Sequence, residues 1–117
     1  MYTISLQNLE FYAYHGYYQE ENLIGTNFIV DIHVKIEDKQ LNNGELSQTV
    51  NYEIIFNIVK LRMNIKYKLL EQFVKDVHDD ILSNFKFAKS IEVIIRKKKV
   101  PINGMIGESV VKYQKEY

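Results

Sequence analysis

Between Asn27 and Glu37 the residues Phe28, Val30, Ile32, Val34 and Ile36 alternate with Ile29, Asp31, His33, Lys35 and Glu37. A period of two with one apolar and one largely polar parity reads as a strand with a single buried face. The rest of the chain must therefore supply sheet partners and a covering layer. Thr3 to Phe11 alternates through Ile4 and Leu6 and, after the polar Gln7-Asn8 pair, through Leu9 and Phe11. Ile91, Val93 and Ile95 alternate with Glu92, Ile94 and Arg96, and Ser109 to Glu116 supplies a fourth strand. Helical spacing fills the middle of the chain. From Asn51 to Lys66, Ile54, Ile58, Leu61 and Ile65 form one stripe and Tyr52, Phe56, Val59 and Met63 another, a helix apolar on more than one face. From Leu69 to Phe85, Leu70, Phe73, Val74, Val77, Ile81 and Phe85 oppose Lys75, Asp76, Asp79 and Asp80.

The order ββααββ describes a single α+β domain over residues 1–117, a four-stranded antiparallel sheet with both helices on one face. Both sheet edges stay open and the first long helix is apolar on too many sides for a monomer, so a ring-like homo-oligomer is expected. A chain of 117 residues buries about two-thirds of its unfolded surface. That suffices for a core but not for a deep private cavity, which moves any active site towards a subunit interface. With 15 basic and 15 acidic side chains the net charge is zero, which argues against a nucleic-acid or anionic-membrane partner. The absence of cysteine excludes thiol chemistry and disulfides. No segment has the apolar length of a membrane span, and the N-terminus lacks the pattern of a signal peptide. A soluble cytoplasmic protein is expected.

Five places could carry chemistry. Tyr12 to Gly25 shows no clean period, holds four tyrosines, His15-Gly16 and Glu20-Glu21, and reads as a functional loop. Its carboxylates are either solvated charges or a proton-handling group. Glu71 opens the second long helix, where it is either an ordinary first-turn glutamate or an anchor beside free amides that bind a ligand. Lys97-Lys98-Lys99 ends the third strand; the run is either an edge guard or a place where like charges lower an amine's pKa towards neutrality. Tyr52 stands at the mouth of the first long helix as core residue or ligand platform. His15, His33 and His78 lack metal-ligand spacing and read as structural. There is no glycine-rich phosphate loop.

Taken together, these positions resemble the dihydroneopterin aldolase family, tunnelling-fold pterin enzymes of folate biosynthesis. The resemblance spans essentially the whole chain. Its motifs are Ile4-Ser5-Leu6-Gln7-Asn8-Leu9-Glu10-Phe11, His15-Gly16 with Glu21 and Gly25, Thr49-Val50-Asn51-Tyr52, Leu69-Leu70-Glu71, and Val93-Ile94-Ile95-Arg96-Lys97 running into Pro101-Ile102-Asn103-Gly104.

The resemblance implies that Glu71 binds the amino and ring N–H edge of a pterin, with the Leu70-Glu71 backbone completing recognition. Val50, Asn51 and Tyr52 join the substrate-binding set, Tyr52 from a neighbouring subunit and with a share in the proton at the reacting carbon. Lys97 is implied as general acid/base, and Glu21 as the group that holds side-chain hydroxyls or an ordered water. Implied too are a retro-aldol cleavage of 7,8-dihydroneopterin without cofactor, metal or Schiff base, C2′ epimerisation, and an octamer of two tetrameric rings closed like a barrel. The rivals are an epimerase of dihydroneopterin or its triphosphate, and a non-catalytic oligomeric binding protein. Three departures stand out. Tyr17-Tyr18 replace smaller residues, Asn51 replaces histidine or aspartate, and Glu20 beside Glu21 duplicates the loop carboxylate.

Overall fold

A computed structural model describes residues 1–117 as β1 (Tyr2–Ala13), α1 (Gln19–Ile24), β2 (Thr26–Ile36), α2 (Tyr52–Met63), α3 (Leu70–Asn84), β3 (Ser90–Lys97) and β4 (Ser109–Glu116). The strands form one sheet in the order β1-β2-β3-β4, antiparallel throughout. α2 and α3 pack on one face of it. Phe28, Val30, Ile32, Val34 and Ile36 of β2 are wholly buried with Ile91, Val93 and Ile95 of β3, against Ile55 and Val59 of α2 and Phe73, Val77 and Ile81 of α3. The alternation in β2 thus fixes which face carries the core.

The polar interruption in β1 is a β-bulge. Leu6 opposes Ile32 and Leu9 opposes Val30, so three steps on β1 match two on β2. The extra residue returns Leu9 and Phe11 to the core parity of Ile4 and Leu6. Asn8 takes the strained position with φ 59°, which asparagine tolerates better than most residues. Its N–H donates to Asp31 Oδ1 at 2.6 Å, and its Oδ1 accepts from Arg96 Nη2 at 3.0 Å.

Two expectations need correction. Tyr12–Gly25 is not all loop, because β1 runs to Ala13 and α1 occupies Gln19–Ile24. A six-residue helix with no buried residue carries no hydrophobic period to read. On α2 the buried face is Ile55, Ile58, Val59 and Met63, so neither proposed stripe is the core stripe. Tyr52, Ile54, Phe56, Leu61 and Ile65 remain exposed.

The end of α2 and the connection that follows it are pinned to α3 by polar contacts. Arg62 grips Asp80 of α3 through Nε and Nη2 at 2.7 and 3.0 Å, while the Tyr67 hydroxyl donates to Asp76 at 2.9 Å. The pair is about one-third exposed, so Arg62→Ala should lower unfolding free energy by only about 1 kcal/mol, read as a lower urea midpoint at unchanged slope. The single chain is elongated, with a radius of gyration of 15.5 Å where a compact domain of this length has about 13 Å. Its accessible surface, 7415 Å², exceeds the roughly 6,700 Å² expected of a monomer of its mass.

Candidate active site

Lys97 is the last residue of β3 and pairs with Phe28 and Ser109. It has the parity of Ile91, Val93 and Ile95, so its side chain turns to the helix-covered face and is 8% exposed. Burial pulls its pKa below the ordinary lysine value. The cause differs from the like-charge crowding expected of the lysine run. Lys98 turns outward to pair with Glu108 at 3.2 Å, and Lys99 lies exposed.

Glu21 sits in the first turn of α1 and reaches back to accept from the Tyr18 N–H at 3.3 Å. This return hydrogen bond is half of a capping box. Its other oxygen, Oε2, is shut off from solvent and meets the Lys97 ammonium. Glu20 is exposed on the same cleft. Of the two adjacent carboxylates, Glu21 is therefore the one in contact with the lysine. Two glycines make room for this arrangement. A Cβ on Gly16 would lie 2.5 Å from Glu21 Cδ, and one on Gly25, whose φ is 77°, would lie 2.8 Å from Tyr12 Cε1 and 3.0 Å from the Ala13 carbonyl oxygen. The cleft beside the pair has a volume of about 280 Å³, with Glu20, Glu21, Ile24, Lys97, Lys99 and Pro101 in its wall.

Glu71 is the second residue of α3 and is exposed. Leu69, the N-cap, supplies no side-chain acceptor. The Gln72 N–H donates to the Leu69 carbonyl at 3.2 Å, which leaves the Leu70 and Glu71 amides to meet a ligand beside an accessible carboxylate. Leu70 is half-buried beneath them.

Tyr52, Val50 and Asn51 form a separate group. Tyr52 opens α2 and is 61% exposed, whereas Val50 is buried. The Asn51 side chain caps α2 by accepting from the Glu53 N–H at 3.0 Å. Tyr52 lines one cleft with Leu6, Leu9 and Phe56 and another with Ile4, Thr49 and Val50. Neither cleft shares a residue with the Glu21–Lys97 cleft. One chain therefore joins Glu21 to Lys97 but leaves Tyr52, Val50 and Asn51 as a second part.

The histidines occupy three unrelated environments. His33 meets Ser5 Oγ at 2.6 Å on the open sheet face, and His78 lies between Asp79 Oδ1 at 2.9 Å and the Tyr117 hydroxyl at 2.8 Å. His15 is 1% exposed, and burial, aided by the charge of Lys97, lowers its pKa to about 4. An unfolded histidine titrates near 6.5, so acid favours the unfolded state. Stability is complete above pH 6.5, falls as pH drops through that value, and by pH 4 has lost about 3 kcal/mol on this account alone. Urea unfolding of the wild type and His15→Asn between pH 7 and 4 should give a visibly flatter profile for the variant.

Solved structures with the same architecture include the Escherichia coli dihydroneopterin aldolase in complex with neopterin. It is 16% identical, with a TM-score of 0.83 over 98% of this chain and 99% of that one. A dihydroneopterin aldolase from Burkholderia thailendensis bound to guanine is 12% identical, with a TM-score of 0.78 over 99% and 91%. At those identities the likeness establishes the class by fold, the tunnelling fold. Sequence adds the rest. The Streptococcus pyogenes dihydroneopterin aldolase is 31% identical over 103 residues, covering 86% of this chain and 87% of its own. The family model described as FolB, dihydroneopterin aldolase, matches residues 4–114. The chain belongs to the dihydroneopterin aldolase family, and its activity class is that of a pterin aldolase of the folate pathway.

Proposed function

We propose that copies of this chain cleave 7,8-dihydroneopterin into 6-hydroxymethyl-7,8-dihydropterin and glycolaldehyde by proton transfer alone, in seams between subunits. The observation that carries this reading is the buried Lys97, whose ammonium meets the solvent-shielded Glu21 carboxylate in the wall of one cleft. A buried amine held against a carboxylate at the wall of a cleft can pass a proton to and from a bound substrate.

Loss of the proton from the side-chain C2′ hydroxyl lets the C1′–C2′ bond break, releasing glycolaldehyde. The electron pair moves into the adjacent C=N bond of the dihydropterin, and a proton returned to C1′ completes the hydroxymethyl product. The substrate's own imine is the electron sink, so neither a metal nor a lysine Schiff base is required. On this reading Glu71 and the Leu70-Glu71 backbone hold the amino and N–H edge of the ring. Lys97 moves the proton, Glu21 orients the hydroxyls or a water, and Tyr52 of the neighbouring copy attends the proton at C1′. Val50 and Asn51 set the position of Tyr52 through the start of α2. Re-adding glycolaldehyde on the other face would give C2′ epimerisation with the same groups. The binding of neopterin and guanine by the structural relatives supports the choice of a flat bicyclic ligand.

Assembly is part of the proposal. Exposed Ile54 and Leu61 on α2, Ile65 just beyond it, the elongated shape and the divided site all favour association into a ring. The octamer of two tetrameric rings is taken from the family resemblance. Sedimentation should report eight chains; a monomer would contradict the reading. The proposed place of action is the cytoplasm, and no helix is long and apolar enough to cross a membrane. The direct test is incubation with 7,8-dihydroneopterin. Stoichiometric glycolaldehyde supports the reaction, and its absence overturns it.

A further inference from the structure

Between Ala13 at the end of β1 and Glu21 on α1 the chain crosses to the α2–α3 connection, where His15 makes the crossing. Its Nδ1 accepts from the Tyr67 N–H at 3.1 Å, and Gly16 N–H donates to the Tyr67 carbonyl at 2.8 Å. The two bonds clamp the backbone of Tyr67 on both sides of its Cα. Because Nδ1 is an acceptor, the neutral ring carries its proton on Nε2, which faces Met63 Sδ at 3.0 Å. The rings of Phe28, Tyr67 and Phe73 enclose the imidazole with centroids 5.2 to 5.7 Å away.

The clamp has functional groups at both ends. On one side, Gly16 is packed directly on Glu21, the partner of Lys97. On the other, Tyr67 lies three residues before Leu70, and its hydroxyl is held by Asp76 of α3. The strap bearing the proton-transfer carboxylate and the helix start bearing Glu71 are thus tied through one buried ring.

We propose that His15 is a positioning residue that holds the Glu21 strap in register with the Leu70-Glu71 helix start. Its Nδ1 bond to Tyr67 sets how far apart substrate recognition and proton transfer take place. The inference rests on the aldolase reading above, since it assumes that Glu71 and Lys97 act on one substrate. A displacement of about 1 Å at a reacting centre costs on the order of a hundredfold in rate, so a loose strap should appear in kcat before it appears in binding.

The test compares two amide side chains, each placing a polar group near the position of one ring nitrogen. His15→Asn puts an acceptor where Nδ1 lies, and His15→Gln puts its polar end near Nε2. Loss of ring packing should lower the melting temperature of both. The expected result is kcat for glycolaldehyde release within about threefold of wild type in His15→Asn. In His15→Gln it falls about 10- to 100-fold, with KM and the Kd for neopterin within about threefold. Amide exchange at Tyr67 should stay slow in His15→Asn and speed up in His15→Gln. Equal losses in the two variants, or wild-type kcat in both, overturn the positioning role and leave the reaction standing. If His15→Gln does not fold, His15→Asn decides alone, a tenfold or greater loss of kcat being the contrary result. A wild-type protein that releases no glycolaldehyde overturns both proposals.

Discussion

Lys97→Ala is expected to lower turnover of 7,8-dihydroneopterin by about 10²- to 10⁴-fold, the usual worth of a positioned acid/base group, while the Kd for neopterin moves by no more than about threefold. The separation follows from where the lysine stands. Its side chain is sealed on the core parity of β3 beside Glu21, on a different element from the α3 start that offers Glu71 and free amides. A group that only moves protons contributes to the transition state and little to ground-state binding. The variant should also lose a buried charge whose removal leaves Glu21 without its partner. Some loss of stability is therefore expected, and the comparison belongs well below the melting temperature. Lys97→Ala with wild-type kcat, or with binding abolished and kcat intact at saturation, would contradict the assigned role.

Glu71→Ala should do the reverse. A carboxylate that accepts from both an amino group and a ring N–H of a pterin makes two charge-assisted hydrogen bonds, each worth about 1.5 to 3 kcal/mol. Losing both weakens neopterin binding by about 10²- to 10⁴-fold, measured by fluorescence titration. Because Glu71 is exposed and its side chain makes no hydrogen bond or ion pair within the fold, its removal should leave the melting temperature nearly unchanged. A Kd within threefold of wild type would place recognition elsewhere.

Most of the architecture was legible in the sequence, because burial writes a period. The fully buried parity of β2 can be read directly from Phe28 to Ile36, and the four strands and two long helices fall within a few residues of expectation. The bulge was half visible. Gln7-Asn8 broke the alternation, but only the Leu6–Ile32 and Leu9–Val30 pairing explains why the apolar residues resume on the same face. α1 was hidden because nothing on it is buried, and its limits depend on Glu21 reaching back to Tyr18 and on Gly25 rather than on hydrophobic spacing.

The site divides along the same line. Lys97 shares its parity with Ile91, Val93 and Ile95, so its inward turn was available from alternation, although its lowered pKa comes from burial and not from Lys98 and Lys99. The contact of Glu21 with Lys97 joins residues far apart in the chain and has no local signature. The sequence marks His15 only as lacking metal-ligand spacing, and in the fold it is buried. Its link to Tyr67 depends on two backbone groups, and backbone partners leave no mark in side-chain identity. Tyr52 was legible as the first residue of a helix, but its 61% exposure and separation from Lys97 are facts of tertiary structure.

The central claim is that a complete site exists only where two copies meet, one giving Glu21, Lys97 and Glu71 and the other giving Tyr52. Subunit mixing tests it most directly. Lys97→Ala and Tyr52→Ala proteins, each impaired by itself, are unfolded together, refolded at equal concentration and assayed for glycolaldehyde. With sites shared between neighbours, random association leaves about one site in four with both residues intact, and activity should rise towards about a quarter of wild type. If Lys97 and Tyr52 instead served one site within a single chain, no mixture could reunite them, and the refolded sample would stay at the mean of the two variants.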